Sequence, residues 1–177
     1  MKIIKTKIKD LLILKQKNNV DKRGSLRETF SKKILKKKFI FEYCTTSKAN
    51  ALRGFHFQYK YQQAKYVSVL KGKILDYVID LRKNSKTFGK TFSIILSDRN
   101  SLSLYIPEGF AHAYYSYEKL NIVYYKLTNY YQPKFESGIN LMDKLINIKW
   151  PKKKLKISKK DKVLPTLNDF CRTHKSL

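Results

Sequence analysis

At 177 residues and 21.0 kDa the chain has room for one compact domain over residues 1–177, not two. Its 42% hydrophobic content suits a folded core, yet no apolar run reaches the roughly 18 residues of a membrane span. The net charge of +26 points toward nucleic acid or an anionic surface, but 33 of the 39 basic residues are Lys and 6 are Arg, where a phosphate-gripping protein favours Arg.

The apolar stretch Leu11 to Leu14 is too short for a signal-peptide core, so a soluble, unprocessed chain without membrane insertion is expected. Lys32, Lys33, Lys36, Lys37 and Lys38 surround Ile34 and Leu35 in a segment that Ser31 is placed to cap as a short helix. From Phe39 onward, period-two alternation of Val, Ile, Tyr and Phe takes over, broken by Gly, Asn, Asp and Ser. The clearest predicted strands are Lys65 to Leu70, Ile74 to Leu81, Thr91 to Leu96, Leu102 to Ile106 and Ile122 to Leu127. Lys71-Gly72-Lys73 reads as a tight hairpin and Arg82 to Gly89 as a longer loop. Short strands at this spacing predict an all-β sandwich or barrel. Beyond Asn129 the pattern fades, and Pro151 to Lys162, with seven lysines and one aspartate, predicts an irregular C-terminal arm.

Cys44 and Cys171 are too few for a disulfide framework or a four-ligand zinc site, which fits a reducing, cytoplasmic setting. Of the three histidines, His174 lies in a polar tail, whereas His56 and His112 lie within the β region. In Leu52-Arg53-Gly54-Phe55-His56-Phe57-Gln58, alternation sends Phe55 and Phe57 to one face, with Arg53, Gly54, His56 and Gln58 around the other. His56 then faces a ligand if that side lines a cavity, and is a structural histidine if it does not. Pro107-x-Gly109-x-x-His112 has the spacing of the second half of a cupin metal signature, but His56-Phe57-Gln58 lacks the His-x-His first half. The expectation is a cupin-type jelly-roll barrel without a metal, whose histidines work by proton transfer or hydrogen bonding. Asp161, alone among lysines, is either a partner for such a histidine or local charge balance. Tyr124-Tyr125-Lys126 offers a proton donor or core aromatics.

Seven motifs, in order, carry a resemblance over nearly the whole chain: Asp21-Lys22-Arg23-Gly24; the Leu52 to Gln58 segment; Asp80-Leu81-Arg82-Lys83 with Thr87-Phe88-Gly89; Ile106 to His112; Tyr125-Lys126 with Tyr130-Tyr131; Trp150-Pro151; and Ile157-Ser158-Lys159-Lys160-Asp161. In these the chain resembles the dTDP-4-dehydrorhamnose 3,5-epimerase family of nucleotide-sugar epimerases. The resemblance implies a jelly roll, a homodimer that shares strands, a nucleotide-sugar substrate, and catalysis beside a 4-keto group with no cofactor, metal or nicotinamide. By motif position it implies His56 as base with Asp161 as its partner, Lys65 beside the enolate oxygen, and Tyr125 as the acid on the opposite face. Arg23, Glu28, Arg53, Gln58, His112, Tyr131, Glu136 and Lys160 match substrate-binding positions.

The chain departs from the family pattern in several places. Ser25-Leu26-Arg27 replaces an aromatic run, Phe41 and Tyr43 stand where a Gln-x-Asn pair is common, and Ala64 and Ala113 replace glycines. The expected activity is inversion at C3 and C5 of a dTDP-4-keto-6-deoxyhexose for a surface polysaccharide such as lipopolysaccharide. Inversion at C3 or C5 alone, or action on another nucleotide-linked 4-keto sugar, are the near alternatives. An RNA-binding basic β-barrel is the remote one, set against the expectation of no nucleic-acid partner.

Overall fold

The computed structural model describes residues 1–152 and 154–174; Lys153, within the predicted arm, lies outside them. Thirteen strands are present among the described residues: β1 Lys2–Lys5, β2 Leu12–Lys15, β3 Asn18–Asp21, β4 Gly24–Arg27, β5 Phe41–Ser47, β6 Leu52–Gln58, β7 Lys65–Lys71, β8 Lys73–Asp80, β9 Thr91–Ser97, β10 Leu102–Ile106, β11 Phe110–Ser116, β12 Asn121–Leu127 and β13 Glu136–Gly138. Two short helices follow, α1 Lys159–Lys162 and α2 Leu167–His174. No described helix is long and apolar enough to cross a membrane.

The strands form two open antiparallel sheets in a cupin-like sandwich, in the orders β1-β2-β10-β7-β12-β5 and β13-β6-β11-β8-β9, plus the separate β3–β4 hairpin. Val67, Val69, Leu104 and Val123 from the first sheet meet Ile74, Val78, Leu96 and Phe110 from the second in the central core. All five predicted strands are present. Lys71-Gly72-Lys73, however, is not a hairpin between paired strands. β7 and β8 belong to different sheets, and the chain crosses between them at Gly72. Gly72 has φ +85°, and a Cβ there would lie 2.5 Å from the Leu120 carbonyl oxygen, so both the turn and the close approach require glycine. The loop after β8 is organised by the buried Asp80 carboxylate, which accepts hydrogen bonds from Arg82, Ser85 and Thr87.

The lysine-rich segment after Ser31 makes a single turn and not a helix. Ile34 and Leu35 both donate to the Ser31 carbonyl, and the chain then extends. Only Leu35 is buried there, so a longer helix would bring lysines of like charge together without burying more apolar surface.

The outer face of the second sheet is also covered, and this explains β11, which alternation does not reveal. Every residue from Phe110 to Ser116 is buried, because the sheet carries the central core on one side and the C-terminal arm on the other. Phe55, Phe57, Ile79, Ala111 and Ala113 pack there against Ile139, Leu141 and Phe170. The arm is therefore more ordered than its composition predicts. Lys156 pairs with Ala51 in a parallel bridge, and α2 seats Phe170 edge-on against Phe57 with ring centroids 5.0 Å apart. Phe170→Ala is expected to cost about 3–5 kcal/mol, read by denaturant unfolding, and to loosen the segment that carries Asp161.

Candidate active site

A cavity of about 680 Å³ opens between the inner faces of the two sheets. β6 and β11 of the second sheet contribute His56 and His112, which are direct partners in the β6–β11 register. β7, β12 and β5 of the first sheet contribute Lys65, Tyr125 and Tyr43. The C-terminal arm closes one side with Lys156, Ser158, Lys160 and Asp161.

The alternation that buries Phe55 and Phe57 outward turns His56 inward. Its Nε2 lies 3.0 Å from an Asp161 carboxylate oxygen across 105 residues of sequence. Three contacts place Asp161. Ser158 caps α1 by accepting the Asp161 N–H at 3.0 Å, the other carboxylate oxygen accepts the Gly54 N–H at 3.4 Å, and the Ala51–Lys156 bridge fixes the segment just before. Gly54 has no alternative here, since its φ is +119° and a Cβ would sit 2.5 Å from Ala113 Cβ and the His112 carbonyl oxygen. Burial acts to raise the Asp161 pKa, but the His56 hydrogen bond and charge outweigh it and hold the carboxyl below its ordinary value. An ionised carboxylate only accepts, so Nε2 carries the proton and Nδ1 is the basic nitrogen.

Lys65 is buried, and its ammonium donates to the His56 carbonyl oxygen at 3.3 Å. Desolvation brings its pKa down to about 8, partly offset by Glu136 and Asp76. Tyr125 is buried too, and desolvation, with Tyr114, Tyr43 and Asp76 nearby, raises its pKa well above the usual phenol value, so it is a proton donor across the ordinary pH range. Tyr43 stacks on it with centroids 4.8 Å apart.

His112 bonds through Nε2 to the fully buried Asp76 at 2.8 Å, a second imidazole–carboxylate pair. Burial pushes the Asp76 carboxyl up while His112 and Lys65 pull it down, and the net direction is upward. Asp76 belongs to none of the sequence motifs. The available signal was a carboxylate at an inward position of the apolar strand β8. Tyr114, which donates or accepts at 2.9 Å with both Thr45 and Ser47, belongs to none of them either.

The predicted binding residues divide into two groups. Arg53, His112, Tyr131, Glu136 and Lys160 all line the cavity. Lys160 and the Tyr131 hydroxyl both donate to Glu136; burial raises the Glu136 carboxyl and these bonds more than reverse it. Gln58 lines the cavity as well, but its amide is occupied by backbone: it donates to the carbonyls of Tyr61 at 2.7 Å and Tyr130 at 3.3 Å and accepts from Gln132 N–H at 2.6 Å. It shapes the turn that presents Tyr131. Arg23 and Glu28 do not line this cavity. Arg23 is 85% exposed at the tip of the β3–β4 hairpin, paired with Asp21 at 2.7 Å, and Glu28 lies 3.6 Å from the Met1 ammonium.

An imidazole on one sheet, a phenol on the facing sheet and a buried ammonium in the same cavity is a set of groups able to move protons on and off carbon. The sequence profile described as dTDP-4-dehydrorhamnose 3,5-epimerase matches residues 5–169. The chain belongs to this epimerase family. It is an isomerase, 39% identical over 176 residues to the Salmonella typhimurium dTDP-4-dehydrorhamnose 3,5-epimerase, covering 95% of this chain and 96% of that one. The Legionella pneumophila dTDP-6-deoxy-D-glucose-3,5-epimerase, solved in complex with dTDP-4-keto-L-rhamnose, superposes with a TM-score of 0.90 at 36% identity, over 94% of this chain and 93% of that one. A 3′-monoepimerase of Streptomyces bikiniensis in complex with dTDP-quinovose superposes with a TM-score of 0.89 at 26% identity, over 94% and 88% of the two chains.

Two measurements test the site. Asp161→Asn is expected to lower kcat by roughly 10²–10⁴-fold with a smaller change in KM, because the imidazolium loses its counter-charge. An ammonium can stabilise a developing oxyanion only while protonated, so with Lys65 in that part kcat/KM is expected to fall as pH rises through about 8 in a steady-state pH profile.

Proposed function

We propose that this epimerase inverts C3 and C5 of a dTDP-4-keto-6-deoxyhexose. The supporting observation is that His56 and Tyr125 stand on facing sheets of one cavity. A C4 ketone acidifies the protons on the adjacent carbons, and removing one leaves a planar enolate. Inversion requires that the proton leave from one face and another arrive on the opposite face, and a sandwich supplies opposed walls for this.

In the proposed cycle, His56 removes the proton and Asp161 supports the imidazolium that forms. Lys65 neutralises the enolate oxygen. Tyr125 then delivers its phenolic proton to the opposite face, and solvent reprotonates it. The diphosphate is held at the mouth by cationic donors, for which Arg53, Lys156 and Lys160 are available. His112 contacts the sugar, with Asp76 fixing its ring. The overall charge of +26 draws such an anionic ligand inward.

The same reading covers the assembly. The β3–β4 hairpin pairs only with itself, exposes Val20 and Leu26 at 74% and 66%, and carries Arg23 away from its own cavity. β5 leaves one edge of the larger sheet open. We take the hairpin to dock on a second copy of the chain in a homodimer, with Arg23 and Glu28 serving the partner's site. A cytoplasmic location, with the product entering a surface polysaccharide, completes the proposal, and the unpaired Cys44 and Cys171 accord with a reducing compartment.

The deciding experiment is proton NMR in heavy water with dTDP-4-keto-6-deoxyglucose. Loss of both the C3 and C5 signals with new product resonances is expected; label entering C3 alone would make this a single-centre enzyme. His56→Asn should abolish exchange at both carbons. For the assembly, light scattering should give twice the 21.0 kDa chain mass, and Val20→Asp with Leu26→Asp should give the monomer.

A further inference from the structure

Two rings contact Tyr125. His112, tied to Asp76, meets its ring edge-on, with centroids 6.0 Å apart and planes at 67°. The second ring is Tyr43, its direct partner in the β5–β12 register, stacked at 4.8 Å with planes 25° apart. Tyr43 is braced in turn by Phe41 at 5.7 Å, and Phe41 by Tyr130 at 6.1 Å. Directly opposed residues of an antiparallel ladder share a face and restrict one another. A phenol moves chiefly by rotation about χ1, and a ring lying flat against it blocks that swing. Tyr43 is 38% exposed on an edge strand, and it is absent from the central core that the two sheets enclose.

We propose that Tyr43 is a positioning residue for the acid: its ring holds the Tyr125 hydroxyl on the enolate face opposite His56 and so decides whether the enolate inverts or returns. This rests on the reading of His56 as base and Tyr125 as acid. In the inverting outcome the enolate electron pair takes the proton from the Tyr125 oxygen. The O–H bond breaks as the C–H bond forms, water reprotonates the phenolate, and His56 releases its proton to solvent. In the returning outcome the same pair takes a proton back from the His56 imidazolium, and the configuration is unchanged. If that imidazolium has exchanged with heavy water, the returning sugar carries deuterium without inversion.

The ratio of exchange without inversion to inversion therefore reads the stack directly. It is to be measured at C3 and C5 by NMR in heavy water, with dTDP-4-keto-6-deoxyglucose, for the full-length wild type, Tyr43→Phe and Tyr43→Ala. Tyr43→Phe keeps the ring and should match the wild type within about twofold. Tyr43→Ala should slow inversion by roughly 10- to 100-fold, the scale of a misplaced reacting group, while exchange through His56 continues, KM changes little and Tm is retained. An unchanged ratio in Tyr43→Ala overturns the proposal. So does a Tyr43→Phe defect equal to that of Tyr43→Ala, which assigns the effect to the hydroxyl, or a parallel loss of exchange and inversion. A wild type that exchanges neither carbon overturns the proposed action on this dTDP-4-keto-6-deoxyhexose, on which the inference rests, whereas an active wild type with an unmoved Tyr43→Ala ratio overturns the role of the stack alone.

Discussion

The hydrogen bond between His56 and Asp161 joins two parts of the chain that the sheets alone would leave apart. One partner sits on the inner face of a central strand, and the other on a one-turn helix in the C-terminal arm. For the bond to form, the arm must cross the edge of the second sheet and be held there. The parallel bridge at Ala51 and Lys156, the Ser158 cap and the burial of Phe170 all serve that placement. A carboxylate delivered this way is held below its ordinary pKa although it is buried, because it accepts hydrogen bonds from His56 and the Gly54 N–H.

β6 carries this arrangement through its two faces. Outward, Phe55 and Phe57 bind the arm; inward, Arg53 and His56 line the cavity. Stability and chemistry thus share one strand, and the apolar face that secures the arm also sets where the imidazole points. β12 does the same in the facing sheet, where Val123 and Leu127 enter the central core on the same side as Tyr125. The two sheets set the His56 imidazole and the Tyr125 phenol on facing walls of one cavity, an arrangement that suits the proposed approach to one carbon from both faces.

Charge plays a different part at the surface and in the cavity. Most of the lysines are exposed and add to a general positive field. Lys65 is enclosed, its pKa brought down to about 8, and it donates to the peptide oxygen of His56. Another buried carboxylate, Asp80, binds Arg82, Ser85 and Thr87 and so shapes the loop after β8; it does not line the cavity.

Alternation along single strands made the all-β class, the five clearest strands and the placing of His56 on the face opposite Phe55 and Phe57 legible in the sequence, because a period of two is a local property of extended backbone; that this face lines a cavity was not legible. The family motifs singled out His56, Lys65, His112, Tyr125 and Asp161, and these converge on one cavity. Hidden from the sequence were β11, buried on both faces and so without alternation, and the crossing at Gly72, since a glycine turn looks alike whether its strands pair or part. Asp76, the stack of Tyr43 on Tyr125 and the hairpin that carries Arg23 out of its own cavity were hidden for the same reason. Each depends on which strands lie side by side or face to face. By itself the sequence determined which residue types were available and which way a strand presents them; only the tertiary structure decided which of them meet, because contacts between distant segments follow from sheet order and packing, not from local spacing.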